Sequence, residues 1–179
     1  VTQHPKSHFS THTGLGAIGM GFLVAASLSS APAFATPASG FTAVQQWKGV
    51  YPALNINTGS DRKYDKDDKW DLKLMSKDVS DVYVTRNAIA PGGQSGWHTH
   101  PGPSLVTVAV GEVTVYEGDN PLCTGKVYKA GEGSIDLGGG HLHLIKNESG
   151  APAETVAVQF VPQGATRRID APAPNNCNF

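Results

Sequence analysis

Cysteine and clustered positive charge are both scarce in this chain. Its 179 residues include two cysteines and seven histidines, and 14 basic side chains stand against 15 acidic ones. No run of Lys or Arg occurs, so the electrostatic footprint of a nucleic-acid binder, or of a protein that docks on an anionic membrane, is missing. Cys123 and Cys177 are too few and too far apart for a zinc motif. No nucleophile elbow accompanies Ser104, which excludes a Ser-His-Asp hydrolase built around it. Past residue 35 there is no long apolar run, no internal repeat and no segment with a helical period, and only four histidines are left: His98, His100, His141 and His143.

The one sustained apolar stretch lies near the beginning, from Leu15 to Leu28 (LGAIGMGFLVAASL). A bilayer span needs about 20 such residues, and this run falls short. Lys6 is the only charged side chain before it, and Ala33-Phe34-Ala35 follows as a small-x-small cleavage site. Together these features read as a secretory signal peptide over residues 1–35. Removing it leaves 179 less 35, or 144 residues, with 13 basic and 15 acidic side chains and a net charge of −2. That length suits one domain with one core. The expectation is a secreted, extracellular protein, free of the membrane after cleavage.

Export also sets the fate of the cysteines. An even pair in an oxidising compartment predicts a Cys123–Cys177 disulfide, closing a loop of 55 residues. The chain-entropy model values such a closure at roughly 4 kcal/mol. Its expected job is to pin the Pro-rich tail, residues 163–179, to the body.

Periodicity supplies the fold class. Residues 36–69 read as a loosely ordered segment ending in an exposed charged loop (NTGSDRKYDKDDK). From Trp70 onward apolar and polar residues alternate, first as Trp70, Leu72 and Leu74 against Asp71 and Lys73. Further strands are predicted at 81–89, 97–100, 104–110, 112–117, 126–129, 134–137, 141–146 and 154–161. The turns Pro91-Gly92-Gly93, Pro101-Gly102-Pro103 and Gly138-Gly139-Gly140 separate some of them. Many short strands with glycines between them predict an all-β sandwich or barrel.

The histidines fall in two pairs, His98-Thr-His100 and His141-Leu-His143. Residues i and i+2 of a strand share a face, so each pair presents two imidazoles side by side. Two such pairs in one barrel make a nitrogen-rich pocket suited to a transition metal.

The surrounding residues carry a resemblance. Gly92-GQSGW-His98-Thr-His100-PGP-Ser104, followed by Gly111, resembles the first motif of the cupin superfamily, G-x5-H-x-H-x3-4-E-x6-G. Gly140-x2-His143-x3-Asn147 resembles part of the second. The likeness covers residues 70–162, and the chain is similar to small secreted bacterial single-domain cupins. It implies a single cupin barrel, a double-stranded β-helix or jelly roll. By residue-by-residue carry-over it implies metal ligands His98, His100 and His143.

Ser104 stands where cupins usually place a glutamate ligand, so it is expected to make a hydrogen bond around the ligands instead. Three neutral imidazoles leave the charge of a divalent ion uncompensated, which favours an anionic or chelating substrate or a metal-bound hydroxide. His141 is open to three roles: fourth ligand, general base, or rim residue. Iron is the leading cofactor expectation, and Mn, Ni, Cu and Zn are also admissible with imidazole ligands.

Two functions follow as expectations. One is a metal-dependent oxidoreductase of dioxygenase or oxidase type, acting on a small anionic or phenolic compound. The other is a non-catalytic extracellular protein that holds a small ligand or the metal in its cavity. The resemblance also implies a homodimer. No catalytic residue is assigned.

Overall fold

β-Branched alternation becomes a strand wherever a neighbouring backbone is free to pair with it, and twelve such segments appear in the computed structural model. It describes residues 34–58 and 71–177. Residues 1–33 of the expected leader, and residues 59–70 of the expected charged loop with Trp70, lie outside the described residues. The strands are β1 (Ser39–Tyr51), β2 (Asn55–Asn57), β3 (Lys73–Met75), β4 (Ser80–Gln94), β5 (His98–Thr99) and β6 (Ser104–Val110). They continue with β7 (Glu112–Glu117), β8 (Lys126–Lys129), β9 (Gly133–Asp136), β10 (His143–Lys146), β11 (Ala153–Pro162) and β12 (Ile169–Asp170). No helix forms among the described residues beyond a single 3₁₀ position at Thr58, and none is long and apolar enough to cross a membrane.

Pairing is antiparallel throughout. β1, β4, β11, β6 and β9 lie side by side in that order, and β8, β7, β10, β5 and β12 make a second array. β4 joins the two, since its end Gln94 pairs with Lys146 of β10. The chain thus encloses one interior between two sheets in a nearly closed barrel. β2 and β3 form a separate ribbon.

The interior is graded along the barrel. Side chains two residues apart on one strand share its inner face, so each strand steps from a polar end to an apolar one. On β6 the inward buried positions are Ser104, Val106 and Val108, and on β10 His143 and Ile145. On β11 they run back from Gln159 through Ala157 and Thr155 to Ala153. Ile89, Val106, Val108, Val113, Val115, Ile145, Ala153 and Ala157 pack into the main core at the apolar end. Asn147, buried below them, donates to the carbonyls of Ile89 (3.0 Å) and Ala151 (2.8 Å) and so fixes the turn into β11.

A second cluster packs on the outer face. Trp97, Tyr116, Leu144 and Cys177 are buried together, with Cys123 and Leu142 against them. Trp97 neighbours His98 in sequence and points the opposite way, as expected of adjacent strand residues. The Cys123–Cys177 disulfide is formed, with Cα atoms 5.3 Å apart, and fastens the tail over this cluster.

Of the segment expected to be loose, the described residues 36–58 are instead largely β-structure. β1 pairs along β4 from Ser39↔Gln94 to Tyr51↔Ser80, with two register shifts. Nearly all its side chains are exposed, so no buried face marks it in the sequence. β4 also runs through Pro91-Gly92-Gly93, where a turn was expected, because the backbone bulges there: Gly92 has φ 72°, and its N–H donates to Asn147 at 2.9 Å.

β1 is fastened electrostatically as well. Lys48 Nζ lies 2.8 Å from Asp81 Oδ2, and the Gly164 N–H donates to the same oxygen at 2.9 Å. The Lys48 ammonium, then the Gly164 amide, hold the Asp81 carboxyl below its usual range. The free aspartate value is about 3.9. A carboxyl depressed by folding adds stability above its unfolded value, and this is lost as pH falls through the lower folded value. Lys48→Met is therefore expected to flatten the acid limb of the stability–pH curve, measured as the urea midpoint. An acid limb identical to that of the parent protein would show that the pair contributes nothing.

Candidate metal centre

β5 ends in the tight Pro101-Gly102-Pro103 connection, and β10 begins only at His143, the residue that pairs with His98. That pairing brings the two histidine segments together at the polar end of the barrel. The ring centroids of His98 and His143 are 4.3 Å apart, those of His98 and His100 4.8 Å, and those of His100 and His143 5.2 Å. One ring nitrogen from each of the three lies within 4.8 Å of the others, and all three residues are buried.

Hydrogen bonds fix the tautomer of each ring. His98 Nδ1 lies 2.8 Å from the Gly96 carbonyl, His100 Nδ1 2.6 Å from that of Arg167, and His143 Nδ1 3.2 Å from that of His141. A carbonyl only accepts, so each Nδ1 carries its hydrogen and donates, which leaves each Nε2 with a lone pair. Burial is the main force keeping these rings neutral. It pushes His98 down to about 2, helped by His143 and Arg168 nearby. Burial also lowers His143, to about 4, and His100, in both cases against the raising effect of Asp136. Three neutral imidazoles, each oriented through its far nitrogen by a backbone acceptor, are a donor set that fits a first-row transition ion.

Ser104 lines the same cavity and is hydrogen-bonded on two sides. Its hydroxyl donates to Asp136 Oδ2 at 3.2 Å and accepts from Gln159 Nε2 at 3.0 Å. Gln159 Oε1 in turn accepts from Arg167 Nη1 at 2.6 Å. A continuous polar chain therefore runs from Arg167 through Gln159 and Ser104 to Asp136. Gln159 Nε2 also lies 3.2 Å from His100 Nε2.

His141 is placed apart from the three-histidine group. It precedes β10, and its ring nitrogens lie 3.3 Å from Glu117 Oε2 and 3.7 Å from Asp119 Oδ2. It shares a second grouping with Asp136 and His143, whose ligand atoms also lie within 4.8 Å of one another.

Sequence reasoning missed Asp136, Gln159, Arg167 and Arg168. Gln159 had a signal: it is a polar residue on the buried face of β11, whose alternation is otherwise small or apolar. Asp136 had only the short Ser134-Ile135-Asp136 alternation, and its placement depends on strand register. The two arginines lie between β11 and β12. There the Arg167 carbonyl orients His100, and Arg168 donates to the Ser95 carbonyl (2.6 Å) and to Asp170 (2.7 Å). Burial, then Arg168, lowers the Arg167 guanidinium. Both arginines line a cavity of about 170 Å³, together with the three histidines, Ser104, Asp136 and Gln159.

No protein-family model matches the chain, and no curated protein does. Solved structures do match. An oxalate oxidase is 26% identical with a TM-score of 0.42, over 49% of this chain and 45% of that one, so the match spans less than half of the oxidase. An uncharacterized conserved protein with a double-stranded β-helix domain from Klebsiella pneumoniae is 23% identical with a TM-score of 0.41, over 67% and 84%. The polyketide cyclase RemF from Streptomyces resistomycificus is 16% identical with a TM-score of 0.42, over 53% and 65%. Strands of two antiparallel sheets wound about one interior, with the histidines of both motifs meeting at its polar end, give this chain a cupin-type double-stranded β-helix.

Proposed function

We propose that this protein is a secreted, metal-dependent oxidoreductase of dioxygenase or oxidase type acting on a small anionic compound. The observation that carries the reading is the orientation of His98, His100 and His143: each ring is tied through Nδ1 to a backbone carbonyl and keeps its Nε2 lone pair in a shared buried space. These three residues would hold the ion. When bound, it supplies redox chemistry and coordination positions for small molecules. Iron is the first candidate, and manganese, nickel, copper and zinc suit the same donors.

Arg167 and Arg168 favour an anion over a neutral phenol. Both face the cavity of about 170 Å³, and guanidinium groups bind carboxylates through paired, charge-assisted hydrogen bonds. The limited volume favours an acid of a few carbon atoms. Gln159 and Ser104 would orient it, since both present polar atoms to the same space. The disulfide fits an oxidising, extracellular setting.

Metal analysis of protein purified without a His tag, followed by dioxygen uptake with oxalate, glycolate and a neutral amide of similar size, tests the proposal. One ion per chain and uptake with the acids alone are expected. One ion per chain without uptake for any small acid would favour a non-catalytic binding protein, the reading that Ser104 in the glutamate position suggests. No retained metal after incubation with Fe²⁺ or Mn²⁺ would end the oxidoreductase reading and leave a non-catalytic protein that holds a small ligand.

A further inference from the structure

On the outside of the barrel, the largest side chain of β1 lies open to solvent. Trp47 is 68% exposed, although tryptophan is highly buried on average. A β-bulge sets its direction. Gln45 pairs with Thr85 and Trp47 with Val84, so Gln46 has no residue opposite it on β4. Neighbouring strand residues ordinarily point to opposite faces, and a bulge re-aims them. Here Gln46 and Trp47 line one shallow cleft of about 250 Å³, together with the apolar Val84 and Val156 and the charged Arg86 and Glu154.

The charged pair is fixed and neutral. Arg86 and Glu154 come from adjacent strands, β4 and β11. Arg86 Nε donates to Glu154 Oε2 at 3.0 Å, and Nη2 donates to the same oxygen. Among the described residues this leaves Nη1 of the guanidinium and Oε1 of the carboxylate without a hydrogen bond. The cleft thus carries a stacking surface beside donors and an acceptor held in one geometry.

That chemistry narrows the occupant. A cation or an anion finds no net charge there, because one acid and one base cancel. An apolar partner would cover the indole, but it would strip water from Gln46, Arg86 and Glu154 without replacing their hydrogen bonds, which is costly. A neutral sugar ring meets both demands. Its C–H face lies against the negative face of the indole, and its hydroxyls donate to a carboxylate and accept from amide and guanidinium N–H groups. The cleft is smaller than the roughly 300–1,000 Å³ of drug-sized pockets, which suits a single ring.

We infer that this cleft is a carbohydrate site on the outer surface, taking one neutral pyranose unit stacked on Trp47 and hydrogen-bonded by Gln46, Arg86 and Glu154. It does not depend on the histidine centre. Arg86, Glu154 and Val156 alternate with Thr85, Asn87, Thr155 and Ala157, which are buried toward the interior. A free monosaccharide and a unit of a polysaccharide share the chemistry required.

Calorimetric titration with methyl glucoside, galactose, mannose and N-acetylglucosamine, and co-sedimentation with cellulose, chitin and mannan, test the inference on the full chain. Trp47→Ala is expected to lose at least about tenfold in affinity, since an aromatic face adds its own contact energy to the area it buries. Trp47→Tyr keeps a ring and is expected to lose less. Glu154→Gln weakens the fork with Arg86 and is expected to fall between them. Capture by the soluble sugars points to a free ligand, and capture by the polysaccharides alone to a unit of a chain; either one, lost in Trp47→Ala, supports the site. No binding by the parent protein in both assays would overturn the inference, as would equal binding in Trp47→Ala. A parent dimer that dissociates in Trp47→Ala, seen by sedimentation, would also overturn it, because a second copy would then fill the cleft.

Discussion

His98→Ala is expected to abolish stoichiometric metal retention and, with it, the stabilisation that metal confers. His98 is the closest of the three rings to both others taken together, at 4.3 Å from His143 and 4.8 Å from His100 by centroid. Its Nδ1–H is anchored at 2.8 Å on Gly96, so the ring is held in place before any ion arrives. Losing a residue that merely orients a ligand costs about 10–100-fold in affinity, and losing a ligand from a three-nitrogen set should exceed that. A ligand present at about 1,000 times its dissociation constant stabilises the folded state by about 4 kcal/mol. The parent protein should therefore melt at a clearly higher temperature with added metal, whereas His98→Ala melts at one temperature with or without it. The metal-free melting temperature of the variant separates this effect from damage to the fold. A variant that keeps its metal and its metal-dependent shift would show that the rings do not share an ion.

How far the sequence foretold this arrangement depended on whether a strand buries one face. β6, β7 and β8 coincide with the predicted segments 104–110, 112–117 and 126–129 at both ends. The first alternates around a buried face, the second is buried on both faces along its middle, and a glycine or turn bounds each of the three. β1 escaped because nearly all its side chains are exposed; its pairing with β4 comes from backbone hydrogen bonds, which carry no side-chain signature. The three histidines were legible because their i, i+2 spacing and the flanking glycines combine in one motif. The carboxylate was not. Asp136 gains its meaning only from the Ser104↔Asp136 register, and shifting a strand by one residue would turn it away from the cavity. His141 lies outside the three-ring group because β10 starts only at His143, so its side chain meets Glu117 and Asp119 instead.

The same register makes the glycine turn after β9 a sensitive point, and Gly138→Ala is expected to be far more damaging than Gly139→Ala beside it. Gly138 has φ 67° and Gly139 φ 62°, so alanine at either carries the left-handed penalty of roughly 1–2 kcal/mol. Their surroundings differ. A Cβ on Gly138 would lie 2.1 Å from the Gly102 carbonyl carbon and 2.3 Å from its oxygen, while a Cβ on Gly139 meets nothing within 4 Å. Overpacking adds roughly 1–3 kcal/mol, and here the obstructing atoms are backbone that cannot rotate aside. Gly138→Ala should thus cost roughly 2–5 kcal/mol against roughly 1–2 for Gly139→Ala. The damage should reach the metal as well. Gly102 follows the His100-Pro101 step, the Gly138 N–H holds Asp136 at 3.0 Å, and the Gly140 N–H donates to the His100 carbonyl at 3.2 Å. Forcing residues 102 and 138 apart separates His100 from Asp136. Urea midpoints and Mn²⁺ affinities for the two variants give the comparison. Equal losses in both would show that backbone conformation alone sets the cost and that the contact between the two loops does not hold the site together.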